Sequence, residues 1–134
     1  MIVRRIPMNA LQEGVYSVLS TNQTTPVYDD VPEDAPGRYI TFGAFTCKNT
    51  GNKTVDISEV SLQLHIWSDY CGKAEVNQIA DDITAVLTSW PIDLSVKGFN
   101  VLSQDVYFFE AFQEEENGYH GVVTFVAKIQ NLGV

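Results

Sequence analysis

Residues 55–67 alternate strictly in their centre: Val60, Leu62, Leu64 and Ile66 are apolar, and Ser61, Gln63 and His65 between them are polar. A period of two sends successive side chains to opposite faces, so this run predicts a long strand with one dry face that another layer must cover. The cover follows in the chain. Over 72–90, Val76, Ile79, Ile83, Val86, Leu87 and Trp90 recur at helical spacing, Glu75, Asp81 and Asp82 lie off that stripe, and Pro91 is the stop. A further amphipathic helix over 8–20 follows Pro7 and aligns Met8, Leu11, Val15, Val18 and Leu19. Arg38 to Thr46 is aromatic and β-branched and pairs with 55–67 as a hairpin across the turn KNTGNK at 48–53. Val101 to Phe112 and Tyr119 to Gln130 form a second hairpin across the acidic turn QEEENG at 113–118. The order helix, two strands, helix, two strands predicts an α+β fold, with two helices packed on one face of a four-strand antiparallel sheet. Residues 21–37, with prolines at 26, 32 and 36, read as an extended surface connection.

Two helices cover only one face of four strands. Tyr39, Ile40, Phe42 and Phe45 use both parities of their strand, as do Val106, Tyr107, Phe108 and Phe109, so the other face is expected to be partly aromatic, as surfaces that meet a partner are. The 134 residues suit one domain over 1–134. Seventeen acidic against eight basic residues give a net charge of −9, and only Arg4 and Arg5 among the basic residues are adjacent. Phosphate binding needs clustered cations, which argues against a nucleic-acid partner read by sequence. No apolar run approaches the length that spans a bilayer, and the N-terminal residues lack a signal-peptide core, so a cytosolic origin is expected. Two cysteines, Cys47 and Cys71, read as free thiols.

Catalytic chemistry finds little footing. His65 and His120 are the only histidines, and neither stands in a nucleophile or metalloprotease motif. A metal site drawn from His65, His120, Cys47 and Cys71 would need the fold to gather them, since no close-spaced ligand pair is present. Neither an enzyme, a cofactor site nor a metal site is expected. The candidate interface residues are in the two hairpin turns: Lys48, Asn49, Asn52 and Lys53 in the first, and Glu114, Glu115 and Glu116 in the second. Such turns project beyond the core and order on docking at little cost to the free fold.

Three stretches carry a family resemblance. VYDDVPEDAPGRYI at 27–40, LHIWSDYCGKAEVNQIADDI at 64–83 and NGYHGVVTFVAKI at 117–129 resemble, in order and spacing, the phage tail completion family, including tail-to-head joining proteins of long-tailed phages of Gram-positive bacteria. Arg38 stands where that family more often has proline. The resemblance implies a non-enzymatic virion part, made in the host cytoplasm, that caps the head-proximal end of the tail tube and joins it to the capsid neck. Its implied partners are the tail tube protein, a head completion (neck) protein and further copies of itself in a hexameric ring around the DNA channel. The competing expectation from the residues is a cytosolic small-ligand or regulatory binding domain, which would present a closed apolar pocket.

Overall fold

The computed structural model describes residues 2–114 and 118–133. Helix α1 (Met8–Asn22) leads to a two-residue strand β1 (Val27–Tyr28) and then to β2 (Arg38–Asn49) and β3 (Asp56–Ser68). Helix α2 (Ala74–Ser89) and a 3₁₀ turn (Ser95–Lys97) precede β4 (Phe99–Gln113) and β5 (Tyr119–Asn131). The strands lie in the order β1-β2-β3-β5-β4.

The sheet therefore has five strands and is mixed, where four antiparallel strands were expected. The additional strand is β1, which runs parallel to β2 with Val27 opposite Ile40 and Tyr28 opposite Thr41. Two residues are too few for a period of two to register, and the flanking prolines mark the segment as a connection. Yet Val27 is buried, and Ile40 N–H donates to the Pro26 carbonyl at 2.8 Å, which fastens the segment to the sheet edge.

The even-numbered residues of β3 face the helices. Val60, Leu62, Leu64 and Ile66 form one buried cluster with Leu11, Val15 and Leu19 of α1 and Val76, Ile79, Ile83 and Leu87 of α2. Opposite them on β5, Val123, Phe125, Ala127 and Ile129 complete this layer. Gly72, at φ +134°, makes the tight entry from β3 to α2 that its position in the sequence suggests, and Glu75 sits in the first turn, where a carboxylate suits the helix dipole. At the other end Trp90 is extended before Pro91, as a residue preceding proline must be.

Mixed parity in β2 and β4 has a second cause besides exposure. The β2–β3 register shifts between Phe42 and Phe45, so Ile40, Phe42 and Phe45 all lie opposite core residues of β3. Likewise β4 shifts between Val106 and Phe108, so that Val106 and Phe109 both point to the helix side, with Tyr107 as the inserted residue. A bulge re-aims everything beyond it by one position. What remains on the helix-free face is Tyr39, Trp67, Phe108 and Phe112, with Tyr107 77% and Phe108 53% exposed on the edge strand.

Candidate functional site

The two predicted interface turns lie at opposite ends of the sheet. β3 begins opposite the end of β5 and finishes opposite its start, as Asp56↔Asn131 and Ser68↔Tyr119. The β2–β3 turn therefore projects from one end and the β4–β5 turn from the other, roughly 40 Å apart at about 3.3 Å per strand residue. Lys48 and Asn49 finish β2, opposite Glu59 and Ser58. Asn52 Oδ1 accepts from the N–H groups of Thr54 (2.8 Å) and Val55 (3.0 Å) and from the Thr54 hydroxyl, a local turn that fixes the loop and leaves Lys53 exposed. In the acidic turn, Glu114 is held from the sheet, whereas Glu115 and Glu116 fall outside the described residues.

The group that holds Glu114 is a chain of side chains the linear sequence does not announce. His120 Nδ1 lies 2.8 Å from Glu114 Oε1, and His120 Nε2 lies 2.6 Å from His65 Nδ1. Trp67 stacks on His120 with ring centroids 3.9 Å apart, while its indole N–H donates to Thr41 Oγ1 at 3.0 Å. The Glu114 carboxylate accepts the His120 Nδ1–H, so when both rings are neutral His120 Nε2 accepts from His65 Nδ1–H. Only one proton fits between the rings. Both histidines cannot be protonated while this contact persists, and the His65 pKa is lowered by burial and then by the charge of His120.

That shift has a definite sign. The unfolded chain takes up the His65 proton first as pH falls, so the stability it contributes is complete above the ordinary histidine value of about 6.5 and is lost below it. The melting temperature should therefore fall between pH 7.5 and 5.5, before carboxylates titrate, and fall less in His65→Gln. Equal slopes for the two proteins in thermal denaturation would show that burial and His120 do not lower the His65 pKa in the folded protein.

Around this cluster, the strand-to-helix junction is braced by charge. Ser68 Oγ donates to Glu75 Oε1 at 2.6 Å and accepts from Tyr70 N–H at 3.1 Å, and Arg38 lies 3.6 Å from the other Glu75 oxygen. Arg38 thus ties the start of β2 to α2. Gly118, at φ +83°, closes the acidic turn; a Cβ there would lie 2.2 Å from the Ser68 carbonyl oxygen.

At the opposite end the N-terminal segment is fastened by a buried carboxylate. Asp56, 2% exposed, accepts from Arg5 N–H at 2.9 Å and from Asn131 Nδ2 at 3.0 Å; Asn131 also donates to the Val3 carbonyl. Arg5 lies over the Phe99 ring at 4.2 Å. Sequence reading passed over this anchor, although a polar residue at a core-facing strand position was the available signal.

Of the four residues weighed as metal ligands, the fold brings together His65 and His120 alone. Cys47 and Cys71 are exposed free thiols, and among the described residues no group of three or more His, Cys, Asp or Glu is arranged to hold a metal ion. The depressions on the sheet face, beside Lys48, Glu59, Ser103 and Lys128, and at the β2–β3 turn are open grooves. No helix is long and apolar enough to cross a membrane among the described residues.

These features define an α+β domain with a mixed five-strand sheet, one helix-free face and a hairpin connection at each end of the sheet. The sequence profile of the family described as "Tail completion protein gp17" matches residues 14–130. The chain belongs to this family of structural virion proteins, in the tail region of the particle. A search of curated proteins finds no match. Among solved structures, a chain of the virion of a native gene transfer agent (GTA) particle superposes with a TM-score of 0.83 at 22% identity, covering 92% of this chain and 96% of that one, a likeness of fold.

Proposed function

We propose that this protein caps the head-proximal end of a long-tailed phage's tail tube and joins it to the capsid neck, as a single tail completion domain over 1–134 that acts in a hexameric ring and catalyses no reaction. The observation that carries the reading is the placement of two chemically different turns at opposite ends of one long sheet. A joint between tail and head needs two docking ends on one rigid body, and strands of 12 to 15 residues supply the rod between them. One end is then for the tail tube protein and the other for the head completion protein.

The sheet edges support the ring. β4 is an edge strand throughout its length, and β1 covers only Ile40 and Thr41 of β2, so the outer edge of β2 beyond Thr41 carries no strand among the described residues. β2 and β4 run antiparallel through the sheet, so copies related by rotation about an axis along the strands bring β4 of one beside β2 of the next in antiparallel sense. A net charge of −9 opposes self-association of free copies and discourages the ring wall from binding the DNA it surrounds.

The acidic turn gives the test. Replacing Glu114, Glu115 and Glu116 with glutamine removes three charges and keeps size, and the amide oxygen that replaces the Glu114 carboxylate can still accept from His120. The variant is expected to fold as stably as the parent, yet to join heads to tails less well and with altered salt dependence. Joining that is unchanged across a range of salt would leave this turn as solvated surface.

A further inference from the structure

Positive charge is concentrated at one end of this acidic protein. Six of its eight basic residues, Arg4, Arg5, Lys48, Lys53, Lys97 and Lys128, lie in the half of the molecule that carries the β2–β3 turn, while Arg38 and Lys73 lie at the other end. Three acidic neighbours there are already engaged. Asp56 is turned inward onto Arg5 N–H and Asn131, Glu59 faces Lys128 at 3.9 Å, and Glu13 faces Lys97 at 3.4 Å. Lys48 and Lys53 have no carboxylate partner among the described residues.

The N-terminal segment runs beside that turn, held by its backbone to Asp56 and Asn131, and its aliphatic side chains face outward. Val3 is 78% and Ile6 70% exposed, an unusual display for aliphatic residues on a segment so firmly tied. Between segment and turn lies a groove lined by Ile2, Arg4, Asn49, Asn52, Lys53 and Thr54. Arg4 reaches Asp56 only at 3.8 Å and leaves most of its side chain exposed to the groove. The groove itself offers one aliphatic side chain, Ile2, with the cations Arg4 and Lys53 and side-chain amides that donate and accept.

We propose that this groove is the docking site for an acidic, partly apolar extended segment of a neighbouring virion protein. The inference rests on the joining role only for the partner being a virion component; the chemistry it names is that of the groove. Carboxylates pair with Arg4 and Lys53, and an apolar side chain of the segment covers Ile2. Charge complementarity selects the partner and speeds encounter, while the apolar contacts hold it.

The test uses the full-length protein and fluorescence anisotropy of two short labelled peptides, one alternating Glu and Leu, the other Lys and Leu. The acidic peptide should bind, more weakly as salt rises, and the basic peptide should not. Arg4→Gln combined with Lys53→Gln should weaken the acidic peptide about tenfold or more. Lys53→Glu alone should do likewise, and because Lys53 makes no ion pair among the described residues this variant guards against a merely unfolded result. Lys73→Gln, at the other end, should leave binding unchanged. Equal binding of the two peptides, indifference to the Lys53 variants, preference for a duplex oligonucleotide, or light scattering showing that Lys53→Glu abolishes self-association of the protein instead would each overturn the proposal. Joining assays separate the two claims: if the parent joins heads to tails and the Lys53→Glu variant does so equally well, the groove fails and the joining role stands; if the parent joins nothing, the role fails whatever the peptides do.

Discussion

Phe125→Ala is expected to cost about 3–5 kcal/mol, a large share of the roughly 5–15 kcal/mol by which a domain is stable. Phe125 is fully buried, lies opposite Leu62 on β3 and Val106 on β4, and belongs to the layer under the helices. Truncation removes the transfer energy of the ring and leaves a cavity that rigid strands on both sides cannot close. Val126, the next residue, points to the helix-free face, and Val126→Ala should cost about 1 kcal/mol or less. Denaturant unfolding with unchanged slope measures both. Similar costs at the two positions would mean that the β5 register is wrong by one residue, which would also move His120 away from His65 and Glu114.

That register shows where sequence reading succeeds and where it stops. Val60 to Ile66 and Val76 to Leu87 each repeat a pattern often enough to declare both the element and its buried side, and the structure agrees within two residues at each end. Val27–Tyr28 gives no such repetition; its pairing with Ile40 depends on how the chain returns after the prolines. Bulges at Phe42/Phe45 and Val106/Phe108 bring Phe42 and Phe45, and likewise Val106 and Phe109, to the helix side although their spacing is odd, because a one-residue insertion reverses parity without changing composition.

For the site, both turns were legible from their composition, but their separation was not. It follows from β3 pairing with β5, a contact between residues more than fifty positions apart for which no local signal exists. The same pairing joins His65 to His120 and Asp56 to Asn131. The histidines read as isolated strand residues only because each supplies half of a cross-strand arrangement. Within the stretch 64–83 that carries the resemblance, the strand-to-helix junction explains three positions: Ser68 and Glu75 bond to each other, and Gly72 makes the turn between them.

The second large effect is functional and bears on the whole account. On the proposed joining role, tails assembled without this protein should not join filled heads, since the tube end would lack the part that recognises the neck. Purified protein is expected to be monomeric or weakly associated in solution, held apart by its charge, and to assemble on the exposed tube end as a ring. The decisive measurement is to add the folded protein to such tails, then add DNA-filled heads, and count infectious particles against the same mixture without it. The account predicts that the count rises well above background and that the protein is found at the head–tail junction of the joined particles. A count that stays at background, with protein that is folded and tails that are otherwise complete, would contradict it.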